Sequence, residues 1–192
     1  MAKISSNPKL SFVWQSHEIS HSVVDAVRKT SAGAIFDVGT DPDENTAKAL
    51  YASGAKEIRI PVAYFMAPAL DEFLRTSHVN TLWIEYFPAL TDIAPEAFLK
   101  RLHALSPRIE CIPISGDVGF LTLCLQSDLR PHRIAIKGAE AAGFVSSETT
   151  GILFDTLKNA AWRRTEKPGL IIWGGLATAE AAAAFLCSGA RA

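Results

Sequence analysis

A parallel α/β fold of the (β/α)8 barrel type, stopping short of its eighth strand, is predicted by three observations. Strand-like and helix-like segments alternate along the whole chain. Several strand candidates (AIFDV, IECIPI, IAI, LIIW) are apolar or nearly so throughout, as strands buried on both faces of a parallel sheet are. A helix-ending junction of a small residue and glycine also recurs, in KTSAGAIF (29–36), YASGAKEIRI (51–60) and LCSGARA (186–192). Glycine supplies the left-handed turn that closes a helix. A strand follows the first two junctions, and the sequence ends after the third. Right-handed crossovers restrict such a chain to an open doubly wound sheet or a barrel. A full barrel takes ~250 residues, and 192 residues leave room for one unit fewer. The expectation is one incomplete barrel domain over residues 1–192, within a larger polypeptide.

The elements follow in order. Leu10–Trp14 reads as a strand, Ser20–Lys29 as a helix and Ala34–Val38 as the second strand. Glu44–Ala52 is helical, Ile58–Ala63 extended, Ala67–Thr76 helical and Thr81–Phe87 extended. Pro95 opens a helix to Leu105, at the first-turn position where its missing N–H has no partner to lose. Ile109–Ile114 is the fifth strand. Ser115-Gly116-Asp117 ends it, with Asp117 placed to cap the helix Val118–Gln126. Arg133–Ile136 is the sixth strand, Ser147–Trp162 a longer helix, Leu170–Trp173 the seventh strand and Thr178–Cys187 the last helix.

Composition narrows the function. Hydrophobic residues make up 48% and charged residues 20%, the balance of a globular domain. The formal net charge is -1, and no Lys/Arg stripe interleaved with aromatics marks a nucleic-acid surface. Cys111, Cys124 and Cys187 are odd in number and far from any metal-binding spacing. They suit a reducing, cytoplasmic compartment, with Cys111 and Cys124 inert in apolar runs. No apolar stretch reaches the ~18 residues of a membrane span, and the start MAKISSNPKL lacks a signal-peptide core.

Two loops carry the candidate chemistry. Strand six empties into IKGAEAAGFVS (136–146), where small residues let a backbone approach something closely. Strand seven empties into Trp173-Gly174-Gly175-Leu176-Ala177-Thr178. There Gly174 and Gly175 let main-chain N–H groups meet an anion, and Thr178 caps a helix whose N-terminus carries a partial positive charge. Barrels place function at the C-terminal ends of their strands, with phosphate near strands seven and eight.

Together, KGAEAAGFV and IIWGGLATAEAAAAFLCSGARA resemble the 2-nitropropane dioxygenase-like group, the flavin-dependent nitronate monooxygenases and related enoyl reductases. The likeness is greatest to the version embedded in polyketide and polyunsaturated fatty-acid synthases. It is clear over about residues 131–192. It implies a TIM barrel that binds FMN, with an acyl carrier or the rest of a synthase as partner. By position it places Lys137, Gly138, Glu140 and Gly143 beside the flavin. It places Gly174, Gly175 and Leu176 in the phosphate loop, Gly189 and Ala190 in a second phosphate-contacting turn, and Gln15 in the first-strand lining.

The chain also departs from that pattern. The monooxygenases carry a basic histidine where this chain has Phe144, and a phenyl ring moves no proton. The synthase-embedded relatives often have an aromatic there. Ala142 stands at a family glycine, and Ser16-His17-Glu18 replaces the small residues that follow Gln15. His17 and His21 lack a third metal ligand in view. Glu85, inside the apolar run LWIEYF, either points into the barrel mouth or faces a cation at the rim. Lys137 either meets a flavin or phosphate oxygen or pairs with Glu140 across one turn, the reading preferred here. Asp37 and Asp41 are weaker candidates. Two functions stay open: an FMN-binding oxidoreductase module, and an inactive structural or docking barrel of a multienzyme. Bare edges on strands one and seven predict self-association or a partner chain across the gap.

Overall fold

The computed structural model describes residues 11–15, 33–38, 54–141, 146–161, 168–174, 176 and 178–190. Seven strands form one sheet, every neighbouring pair parallel. They are β1 (Ser11–Gln15), β2 (Gly33–Asp37), β3 (Glu57–Pro61), β4 (Thr81–Glu85), β5 (Glu110–Ser115), β6 (Arg133–Ile136) and β7 (Gly169–Ile172). Their order in space is their order in sequence, with β1 and β7 at the two ends. The expected helices at 20–29 and 44–52, and the positions of His17, Glu18, His21 and Asp41, lie outside the described residues.

Six helices are described: α1 (Val62–Met66), α2 (Ala69–Thr76), α3 (Pro95–Leu105), α4 (Val118–Gln126), α5 (Thr150–Ala161) and α6 (Ala179–Cys187). α3 begins at Pro95 as expected, and α4 is capped by Asp117, whose Oδ1 accepts from the Phe120 N–H at 2.7 Å. Three stretches differ from expectation, one of them the start of α5, which begins at Thr150 rather than at Ser147. The strand expected to run to Ala63 ends at Pro61, and VAYFM coils into α1, seating Phe65 in the core at 0% exposure. That burial outweighs the strand preference of Val62 and Tyr64. β4 stops at Glu85, short of Phe87, although the Tyr86 N–H still donates to the Ile114 carbonyl. Of the three glycine junctions, Gly54 and Gly189 have the expected positive φ, at 66° and 102°. Gly33 instead opens β2 and pairs with Ser11.

Alternation along the strands splits the core in two. Ile58, Ile60, Leu82, Ile84, Ile134 and Ile136 face the helices, packing with Phe65, Leu70, Phe98, Leu102, Phe120 and Leu153. Each of these buried side chains contributes about 1.5–3 kcal/mol. The opposite face buries Ile35, Trp83, Ile112, Ile114, Ala135, Ile171 and Trp173. Among the described residues, no helix contributes to that second cluster. The sheet therefore curls over its own inner face. The indoles of Trp83 and Trp173 meet there at 5.0 Å, from strands that a flat sheet would hold ~14 Å apart.

Candidate functional site

The inner face carries charge at the C-terminal ends of the strands. Lys137 follows β6 at 0% exposure, the only lysine among the buried residues described. Its Nζ donates to Glu85 Oε1 at the end of β4 and lies 5.9 Å from the Phe87 ring centre. Glu85 Oε2 lies 3.4 Å from Arg59 Nη2 of β3, and that nitrogen is 3.0 Å from Asp37 Oδ2 at the end of β2. Four charges from four strands, Arg59 in mid-strand and the other three at strand ends, thus alternate in sign across the concave face. Glu85 faces cations, as one of its two expected readings has it.

A lysine ammonium has three donors. Among the described residues, Glu85 is the single hydrogen-bond acceptor of Lys137. A buried charge is costly unless it is paired and hydrogen-bonded. Its remaining N–H groups give this spot the capacity to bind acceptor atoms.

The expected pair between Lys137 and Glu140 is replaced by two others, because the backbone turns between them. Lys137 continues the inward alternation of β6, whereas Glu140 lies outside the strand and reaches the start of α5. There the Glu140 carboxylate accepts from the Thr150 N–H at 2.9 Å and from Thr150 Oγ1 at 2.9 Å. Burial, the largest single effect, pushes the Glu140 carboxyl up, but its own backbone N–H and those two Thr150 donors together outweigh this and hold it below the usual range. A carboxylate at a helix N-terminus also complements the helix dipole. Gly138 makes the approach feasible: a Cβ there would run into the Thr150 N and Oγ1 and lie 2.5 Å from Glu140 Oε2.

The two glycine loops touch. Gly174 has φ +75°, and a Cβ on it would sit 2.8 Å from Ala141 Cβ. Thr178 caps α6 as expected, its Oγ1 accepting from the Ala181 N–H at 3.2 Å. Glu180 adds a carboxylate to that same first turn, held low by its own backbone N–H and by Thr178. Leu176 is half-buried beyond the loop. Gly189 and Ala190 close α6, their N–H groups donating to the Leu186 and Phe185 carbonyls. Gln15 pairs in register with Asp37, which brings β1 to the charged end of the face. Ala142, Gly143, Phe144, Gly175 and Ala177 lie outside the described residues.

Arg59 was not singled out from the sequence. Its signal was the alternation in EIRIP, which puts a cation between two isoleucines on the face opposite theirs. Ser115 is fully buried at the end of β5, and its hydroxyl accepts from the Asp117 N–H. The cysteines are as expected where buried: burial pushes Cys111 up to about 12 and raises Cys124 further. Among the described residues no cluster of His, Cys, Asp and Glu could hold a metal, and no helix is long and apolar enough to cross a membrane. No family model matches the chain, and no curated protein matches it.

Proposed function

We propose that the chain is an FMN-binding oxidoreductase module on a (β/α)8-type barrel, of the nitronate monooxygenase or enoyl reductase kind found within polyketide and fatty-acid synthases. The observation that carries this reading is Lys137, a buried ammonium with one acceptor, Glu85, among the described residues, at the strand ends where parallel α/β folds bind ligands. The barrel is supported by the sequential strand order, the helices on one face and the self-covered inner face. Lys137 would donate to acceptor atoms of the flavin, and the main chain around Gly174 would receive its phosphate. When bound, the flavin supplies the redox chemistry, and the protein binds and orients it. With Phe144 at the family's histidine position, this chain offers no acid-base group there, so activity would be altered or weak. An acyl carrier or the rest of a synthase polypeptide is the partner this reading implies. The end strands β1 and β7 are the edges through which a partner or a second copy would add.

A second reading has its own support. Glu140 is occupied with Thr150, Gly138 is occupied with packing, and Glu180 already faces the α6 N-terminus. Motif residues engaged in this way also suit a structural or docking barrel that no longer catalyses. A visible absorption spectrum after FMN addition and desalting separates the two. A retained flavin band supports the oxidoreductase module, and a folded, colourless protein supports the structural barrel.

A further inference from the structure

Glu85 touches both cations of the inner face, one with each carboxylate oxygen. Oε1 accepts from Lys137, and Oε2 lies 3.4 Å from Arg59, which also reaches Asp37 at 3.0 Å. Among the described residues, the array brings two positive and two negative groups together. The side chains of Asp37 and Arg59 are 11% and 15% exposed and that of Glu85 19%, so solvent screens the array only in part. Lys137 is the least exposed of the four, at 1%. An anion arriving at its remaining N–H groups would come up against the Glu85 carboxylate bound to the same nitrogen. An uncharged acceptor would meet the same donors without that repulsion.

We propose that Glu85 is the positioning residue of this site and sets its charge preference. By holding Lys137 and Arg59 on its two carboxylate oxygens, it reserves the remaining Lys137 donors for an uncharged acceptor, a carbonyl oxygen or a ring nitrogen. A phosphate or carboxylate is turned away from this spot. The proposal rests on the reading that the curled inner face takes a ligand, and it deepens that reading by stating which part of a ligand belongs at Lys137.

The test is acetylation of the whole chain by an uncharged succinimidyl ester, followed lysine by lysine in peptide mass spectra, with and without inorganic sulfate at constant ionic strength. In the wild type, Lys137 should react far more slowly than the exposed Lys56 and Lys100, and sulfate should not change its rate. In Glu85→Gln, Lys137 should react about tenfold faster or more, the order a charge-assisted hydrogen bond carries, and sulfate should now protect it. Glu85→Asp should restore slow, sulfate-insensitive labelling. Unchanged rates at Lys56 and Lys100 distinguish this from general loosening. A wild-type rate at Lys137 in Glu85→Gln would overturn the proposal, as would sulfate protection in the wild type. If Glu85→Gln does not fold, Arg59→Gln carries the test: with the competing cation gone, Glu85 holds the Lys137 charge more firmly, so Lys137 should react more slowly and stay insensitive to sulfate; a faster rate or sulfate protection would overturn the proposal. Flavin takes no part in this readout. The expected labelling pattern in a protein that binds no FMN would therefore refute the flavin reading alone.

Discussion

Removing one charge of the Glu85–Lys137 pair should cost much more from one side than from the other. Glu85→Gln leaves a fully buried ammonium with no carboxylate. Breaking a buried pair in this way costs about 3–5 kcal/mol. The lower end applies, because the Glu85 side chain is 19% exposed and glutamine keeps one acceptor. Lys137→Met removes the buried charge itself and fills a similar volume, while Glu85 keeps Arg59 at 3.4 Å. That substitution should cost only about 1 kcal/mol. The double variant should resemble Lys137→Met, also about 1 kcal/mol, so the two effects fall about 3 kcal/mol short of adding. Urea unfolding followed by tryptophan fluorescence measures all three. At ~2–4 °C per kcal/mol for a chain of this size, Glu85→Gln should lower Tm by roughly 6–12 °C. A Lys137→Met variant as unstable as Glu85→Gln, or additive costs in the double variant, would refute the reasoning.

Three further outcomes are expected. Gly138→Ala should destabilise by about 1–3 kcal/mol, because the new methyl meets the start of α5; an unchanged urea midpoint would show that Thr150 can move aside. The Glu140 carboxyl is held below its ordinary range in the folded protein, so its contribution is complete above about pH 4.3 and is lost as pH falls through the lowered folded value. Glu140→Gln should therefore cost no more than about 0.5 kcal/mol near neutrality, because the exposed carboxylate is screened by solvent, and flatten the acid limb of the stability profile below that pH, a difference that pH-dependent urea melts would reveal. In native protein a thiol reagent should modify exposed Cys187 quickly and leave Cys111 and Cys124 unreacted, with all three reacting after denaturation; rapid native labelling at Cys111 would contradict its placement.

Local signals carried most of the fold. Pro95 and Asp117 each mark a helix start through backbone chemistry within one turn, and α3 and α4 begin where those residues put them. The apolar runs of β5, β6 and β7 were legible because both faces of those strands are buried, so their composition alone marks them. The strand expectation overran by two residues, Val62 and Ala63, because they continue the apolar run of EIRIP, and only the place of Phe65 in the three-dimensional core turns Val62–Met66 into α1. The site was half legible. Lys137, Gly138, Glu140 and Gly174 stood out by motif, and Glu85 by its position in an apolar run. Their partners did not, because Lys137 and Glu85 are 52 residues apart and meet only when the sheet curls. Sequence proximity favoured Glu140 for Lys137, and the inward alternation of β6 decided otherwise.

The central claim is that the buried Lys137 donors serve a flavin. The most direct measurement is an FMN titration of the wild type and of Lys137→Met, followed by quenching of flavin fluorescence, with circular dichroism confirming that both are folded. Saturable binding in the wild type, weakened about tenfold or more in Lys137→Met as loss of a charge-assisted hydrogen bond implies, is the expected result. No binding by folded wild type, or equal affinity in the two proteins, would contradict the claim.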